Sequence, residues 1–311
     1  MKRALLICDA GKVGTRKQAE VLALGLGCAI TFQEVTSPFS WIWGRFLAEK
    51  IVTKRLCGFP WDYIISAGRR SAPVAVAMKK ILSPHTPLFF HIMDPGWWYR
   101  DSFDALIIPT HDGLKGDNCI SVPGALAMRV QPSKEVESAY KNHINPKLPT
   151  VVMLIGGNTS SYTFTAQTVS FWCACMSKQL AATPMNVLIS FSRRTTPDIR
   201  EKIICESQKW GAWVWDETPP NPYPFLLNVA DIFLISQDSI SMVSEAALMG
   251  KALYLLSLEG KKRKFDHFYH DIIDKGYAHW FAGDVRMVPF SKPLNSLQVV
   301  LDSLKARGMI A

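Results

Sequence analysis

The residues most suggestive of chemistry lie together in Gln237-Asp238-Ser239-Ile240-Ser241-Met242-Val243-Ser244-Glu245-Ala246. An apolar run, Ile232-Phe233-Leu234-Ile235, precedes them and reads as a buried strand; an apolar-periodic stretch, Met242 to Met249, follows and reads as a helix closed by Gly250. The first N–H groups of a helix have no internal partners, and the helix dipole favours negative charge there. A strand, a small polar loop and a helix start therefore make an anion site. Asp238, Ser239, Ser241 and Met242 occupy that loop and first turn, and Glu245 lies one turn further on, where a carboxylate can accept hydrogen bonds from a ribose. The ligand class this suggests is a nucleotide diphosphate. A plainer role fits the same residues: Ser241 as a helix cap and Glu245 as a charge balancing the dipole.

Other segments repeat the arrangement. Gly156-Gly157-Asn158 follows the strand Thr150–Ile155, and paired glycines let backbone N–H groups approach a phosphate closely or simply make a tight turn. Ser192-Arg193-Arg194-Thr195 follows the strand Asn186–Ser190. Guanidinium groups there suit bidentate pairing with phosphate, with Arg193 the functional one of the pair and Arg194 solvated. Asn221-Pro222-Tyr223 reads as a helix start, Asn221 capping and Pro222 at the first helical position; holding a nucleotide base is the second reading of Asn221 and Tyr223. Acid–base candidates come from the first half: His111 with Asp112, Asp94 after the strand Leu88–Met93, and Asp9 in the glycine loop Asp9–Gly14. That loop matches neither G-x-G-x-x-G nor the P-loop. No nucleophile elbow or metal cage is evident.

The elements that must position these residues are legible from rhythm. Short apolar runs (Ala4–Cys8, Ala29–Phe32, Tyr63–Ser66, Leu88–Met93, Ala105–Ile108, Cys119–Val122) alternate with helix candidates such as Thr15–Leu24 and Val74–Ile81. This is the pattern of βαβ units and a parallel sheet buried on both faces, whose ligands sit at the strands' carboxyl ends. A proline-rich stretch, residues 123 to 149, reads as a linker, and the rhythm then restarts, with a last helix at Leu294–Arg307. At 311 residues the expectation is two domains, 1–145 and 146–311, with a ligand in the cleft where they face each other.

The net charge of +9, from 35 Lys and Arg against 26 Asp and Glu, favours anionic partners such as nucleotides or an acidic membrane surface. No nucleic-acid-binding signature accompanies it, so nucleic acid is not an expected partner. The 7 cysteines are scattered, without zinc-type spacing, as suits a reducing cytosol. No run approaches the roughly 18 apolar residues that span a bilayer. Two segments, Pro38 to Phe46 (followed by Lys50, Lys54 and Arg55) and Pro95-Gly96-Trp97-Trp98-Tyr99-Arg100, set aromatics beside cations. They suit either ordinary packing or a membrane interface and a lipid-linked acceptor.

Taken in order, the motifs resemble the mitochondrial-fission "elongated mitochondria" protein family, whose bacterial-type members are grouped with GT-B glycosyltransferases. The matching residues include Asp9, Gly11, Lys12, Gly14 and Gln18; Gly68-Arg69 with Ser71-Ala72-Pro73; Asp94-Pro95; His111-Asp112; Gly156-Gly157-Asn158; Ser192 to Thr195; Asn221-Pro222-Tyr223; Asp238-Ser239; Ser241-Met242; Ser244-Glu245-Ala246; Gly250-Lys251; and Lys264-Phe265. Val13, Thr110 and His279 depart from the family pattern, the last two where arginine is common. The resemblance implies an α/β fold of two Rossmann-like domains facing a cleft, with the last helix able to pack back on the first domain. It implies a metal-independent transfer from a nucleotide-diphosphate sugar to an envelope glycan or lipid-linked acceptor, with no tightly bound cofactor, in the cytoplasm or on the inner face of the membrane. Gly156, Gly157, Arg193, Ser239, Ser241 and Glu245 would hold the donor, and His111 or Asp9 would activate the acceptor. A non-catalytic adaptor and a sugar-nucleotide epimerase are the rival activities.

Overall fold

The structure, a computed structural model, describes residues 1–36, 46, 61–82, 87–260, 263–287 and 293–311, without the side chains of 263 and 264. The aromatic-basic stretch that begins at Pro38 lies, Phe46 apart, outside the described residues, as does the side chain of Lys264.

The chain divides into two compact units, one formed by Met1–Ala127 with Asn295–Ala311, the other by Met128–Leu294. Unit 1 is built on six parallel strands, β1 (Lys2–Asp9), β2 (Cys28–Val35), β3 (Tyr63–Ala67), β4 (Leu88–Ile92), β5 (Ala105–Pro109) and β6 (Cys119–Val122), in the order β2-β1-β3-β4-β5-β6. Helix α1 (Val13–Gly25) follows β1, and α2 (Ser71–Ile81) follows β3. The central strands are largely apolar because helices cover both faces, and β3 and β5 have no exposed residue.

The second unit opens with α3 (Lys134–Tyr140). Its sheet holds β7 (Thr150–Ile155), β9 (Asn186–Phe191), β10 (Trp213–Val214), β11 (Ile232–Ser236), β12 (Ala252–Leu256) and β14 (His279–Trp280), all parallel, in the order β10-β9-β7-β11-β12-β14. That is the Rossmann order, with the reversal of direction falling between β7 and β11. A separate two-stranded antiparallel sheet pairs β8 (Tyr162–Thr163) with β13 (Glu259–Gly260). The helices are α4 (Ala166–Ala182), α5 (Pro197–Gln208), α6 (Tyr223–Val229), α7 (Ile240–Met249) and α8 (Arg263–Asp274).

One boundary differs from the sequence reading. The first unit ends at Ala127 rather than 145. The reason is that α3 belongs to the second core: Val136 and Tyr140 are buried in it, the Tyr140 ring lies 5.2 Å from that of Trp213 and 6.0 Å from that of Phe225, and its hydroxyl donates to the carbonyls of Thr218 and Pro220. The last helix, α9 (Ser296–Ala306), belongs to unit 1. Its Val300 and Leu304 are fully buried, Arg307 donates to the Cys119 carbonyl at 2.7 Å, and Leu297 lies so close to Gly25 that a Cβ there would stand 2.9 Å from it.

Candidate functional site

At the reversal point of unit 2, one carboxylate organises three loops. Asp238 lies just past β11, with its side chain fully buried. It accepts the Ser236 hydroxyl at 2.6 Å, the Gly157 N–H at 3.1 Å and an Arg194 guanidinium N–H at 2.8 Å, while Gly156 N–H donates to Ser236 Oγ at 2.7 Å. Burial pushes the Asp238 carboxyl upward, and the bonds from Ser236, Gly157 and Arg194 oppose that shift. The two glycines are dictated by space. A Cβ at Gly156 would stand 2.0 Å from Asp238 Oδ1, and one at Gly157 2.0 Å from the Arg194 carbonyl oxygen. Their N–H groups are thus taken by the protein itself. The pair serves close packing here, which narrows the phosphate-cradle reading of the sequence.

The arginines also separate in role. Arg194 is the clamp residue: its guanidinium, although half exposed, is engaged by Asp238. Arg193 is exposed and makes no hydrogen bond or ion pair among the described residues. Ser192 turns the loop, its Oγ accepting the Arg194 N–H at 3.1 Å. Thr195 donates to the Gly156 carbonyl and, at 3.2 Å, to that of Ile155. Asn158 Oδ1 accepts the Phe164 N–H at 2.8 Å, closing the loop that leads to α4.

Helix α7 starts two residues before its predicted first residue. Its cap is Ser239, whose hydroxyl accepts the Met242 N–H at 3.4 Å, so Ser241 is a half-buried residue of the first turn and not the cap. Glu245 is buried, which rules out a purely solvent-side charge on this helix. It meets the hydroxyl of Tyr223 on α6, whose pKa is driven well above 10 by burial first and by Glu245 second. Asn221 Oδ1 accepts the Tyr223 N–H at 3.0 Å, and the helix begins at Tyr223, so Pro222 takes the cap position and Asn221 closes the turn before it. Two residues singled out separately in the sequence, Tyr223 and Glu245, are therefore brought together.

In unit 1 the acid–base candidates separate. Asp9 is buried and accepts the N–H groups of Ser71 at 2.9 Å and Arg70 at 3.3 Å, capping the start of α2; burial raises its pKa and those bonds oppose it. Gly68, at φ +98, is a glycine because a Cβ would stand 2.6 Å from the Asp9 carboxyl carbon. Asp94 is held by both guanidinium arms of Arg100, at 3.1 Å each, and accepts the Gly96 N–H at 3.1 Å; the Arg100 bond keeps its pKa below the ordinary carboxylate value. Both carboxylates are engaged in shaping turns, which argues against them as bases. His111 sits on a short 3-10 turn with its Nε2 3.5 Å from Asp112 Oδ1, both side chains largely covered. The Asp94–Arg100 clamp shapes the turn that presents Trp97 and Trp98, stacked at 3.6 Å and 64% and 73% exposed, so this segment is not ordinary core packing.

Sequence reasoning missed Ser236 and the roles of Thr195 and Arg194. It also missed His91, fully buried in β4, whose Nδ1 lies 2.7 Å from Ser66 Oγ and whose pKa burial lowers to about 3. The polar end of an apolar strand, Ile235-Ser236-Gln237-Asp238, was the available signal for Ser236; nothing in Leu88-Phe89-Phe90-His91-Ile92 marks the histidine as buried.

Two parallel-sheet units with clamped glycine turns at the carboxyl ends of their central strands define the class, the α/β fold shared by GT-B glycosyltransferases and related epimerases. Solved structures with this fold include the UDP-GlcNAc 2-epimerase of Methanocaldococcus jannaschii (TM-score 0.56, 9% identity, 98% of this chain and 100% of that one). MurG of Acinetobacter baumannii is similar (TM-score 0.55, 11% identity, 98% and 99% covered), as is the ADP-heptose lipopolysaccharide heptosyltransferase II of E. coli (TM-score 0.51, 14% identity, 98% of each chain). The chain belongs to the mitochondrial fission ELM1 family, whose model matches residues 13–307. Relatives include an uncharacterized protein of Rickettsia prowazekii (strain Madrid E), 27% identical with 84% of this chain and 82% of that one covered. The mitochondrial fission protein ELM1 of Arabidopsis thaliana is 25% identical; the match covers 71% of this chain and 57% of that longer protein.

Proposed function

We propose that this protein is a glycosyltransferase that moves a sugar from a nucleotide-diphosphate sugar to an envelope glycan or lipid-linked acceptor. The observation that carries the reading is the division of labour between adjacent arginines: Arg194 is neutralised by Asp238, while Arg193 stands exposed without a partner among the described residues. Arg193 then meets the departing diphosphate as charge builds on it, helped by the N–H groups at the start of α7. The pair of half-buried Tyr223 and buried Glu245 is the candidate for holding the ribose and base. His111 is the remaining acid–base candidate for the acceptor hydroxyl, since Asp9 and Asp94 are taken up by their own turns. The enzyme's place is the cytoplasmic face of an anionic membrane, with the exposed Trp97 and Trp98 at the lipid interface and the exposed Arg69 and Arg70 adding positive charge to the same unit. Among the described residues no helix is long and apolar enough to cross a membrane.

The test is a thermal-shift panel of UDP-, GDP-, CMP- and ADP-sugars on wild type and Arg193→Ala. A ligand at about a hundred times its Kd adds roughly 2.7 kcal/mol of stability, a rise of several degrees. One selective nucleotide, lost in the variant, is the expected result; no response to any of them would move the function to the adaptor reading that the family's fission members favour. Incubation with the donor alone separates transfer from epimerisation, because only an epimerase converts it without an acceptor.

A further inference from the structure

A second feature of unit 2 is unused by the donor reading. Beside the first two turns of α4, a groove of about 430 Å³ is lined by Gln167, Thr168 and Phe171 on one side and by Ser257, Leu258 and Glu259 on the other. Phe171 keeps 49% of its surface exposed there, although its neighbour Trp172 is buried in the core. The Gln167 amide and the Ser257 hydroxyl have no hydrogen-bond partner among the described residues, and both are exposed. Glu259 accepts the Thr165 hydroxyl at 2.7 Å through one carboxylate oxygen.

The chemistry of this lining is selective. Among the described residues it holds a carboxylate and no cation, which disfavours a phosphate. An amide and a hydroxyl are each donor and acceptor, and a carboxylate is an acceptor, which matches ligand hydroxyls that also both donate and accept. An exposed aromatic face supplies an apolar platform of the kind that covers a ring's C–H face. An aliphatic ligand would leave the polar wall unmatched.

The groove is also fastened to the nucleotide elements. Leu258 N–H donates to Gln237 Oε1 at 2.9 Å, and the Gln237 carbonyl accepts the Tyr269 hydroxyl. Gln237 immediately precedes the clamp residue Asp238, so consecutive residues hold the groove wall and the glycine turn.

We infer that this groove binds an uncharged saccharide ring, stacked on Phe171 with its hydroxyls on Gln167, Ser257 and Glu259. The inference deepens the glycosyl-transfer reading but does not need a bound nucleotide. The same ring chemistry could belong to the donor's sugar or to an acceptor glycan, and two experiments separate them. In the first, wild type, Phe171→Ala and Gln167→Ala are tested on an array of neutral and N-acetylated glycans, with hits titrated by calorimetry. In the second, the same three proteins are titrated with each nucleotide and its sugar conjugate. A glycan hit weakened about tenfold in both variants assigns the groove to the acceptor. A conjugate that binds more tightly than its bare nucleotide, with that advantage lost in both variants, assigns it to the donor's sugar. No glycan bound, together with an unchanged conjugate-to-nucleotide ratio in both variants, overturns the inference even where nucleotides bind. Glycan binding without any nucleotide binding supports the groove and counts against the transferase. Gln167 is exposed on the first turn of α4, so its variant reports on binding even where Phe171→Ala lowers stability.

Discussion

In each unit an aspartate near the carboxyl end of a central strand reaches across to the glycine turn of the neighbouring strand, but the two carboxylates keep different company. Asp9 is met by backbone N–H groups at the start of α2. Asp238 is met by a hydroxyl, one glycine N–H and the Arg194 guanidinium. The start of α2 in unit 1 is thus already satisfied by an anion of the chain itself, whereas the start of α7 is capped, among the described residues, only by the neutral hydroxyl of Ser239. The same fold device closes an anion site in one unit and leaves a cationic, N–H-lined surface in the other. That contrast is the physical ground for proposing the donor site in unit 2.

The comparison can be broken most severely at its glycines. Gly156→Ala places a Cβ 2.0 Å from Asp238 Oδ1, against fully buried surroundings. It is expected to cost about 3 kcal/mol and to abolish any nucleotide response. A wild-type melting temperature in this variant would show that the clamp is not rigid. Next come the carboxylates. An amide offers one acceptor oxygen and a donor that faces other donors, so Asp238→Asn should lose about 2 to 3 kcal/mol. Asp9→Asn, which abandons no guanidinium, should lose about 1 to 2 kcal/mol in denaturant unfolding. Equal losses would erase the distinction drawn above.

The units should also part in acid. His91 is neutral in the fold with a pKa lowered to about 3 from 6.5, so below pH 6.5 the unfolded chain takes up a proton that the folded one refuses. Stability is intact above pH 6.5 and falls as the pH drops toward 3, by about 1.4 kcal/mol per pH unit, or about 2 kcal/mol by pH 5. Hydrogen exchange of β3 and β4 at both pH values measures this, and His91→Gln should flatten the dependence. No histidine among the described residues of unit 2 is comparably buried. Smallest is Ser239→Ala, expected to cost about 1 kcal/mol as a lost helix cap while leaving the clamp intact.

How much of this was legible beforehand depends on the length over which each signal is written. The longer strands and helices were visible because five or more consecutive apolar residues, or several turns of periodicity, report burial directly. The small antiparallel sheet of β8 with β13 and the strand β14 have two residues per strand, too short for any period to show. Within the site, Glu245, Tyr223, Arg193 and the glycine pair were all marked by type and place. Their pairings were not: Asp238 meets Arg194 and Gly157 across 44 and 81 positions of sequence, and no local pattern encodes such a contact. The choice of Ser241 over Ser239 as cap failed for a local reason, since either serine satisfies the capping preference and only the backbone shows which lies outside the helix.

The placement of α9 has a consequence for how the chain comes to be made. Unit 1 leaves off at Ala127 and resumes only at Asn295, so the whole of unit 2 is an insertion in its sequence. A ribosome therefore delivers every strand of the first sheet long before the helix that covers α1 and β6. The nascent first sheet must wait with the seats of Leu297, Val300 and Leu304 exposed, while unit 2, continuous from Met128 to Leu294, completes itself first. The order of maturation is the reverse of the order of synthesis, and the N-terminal unit is the one most exposed to chaperones and proteases on the way.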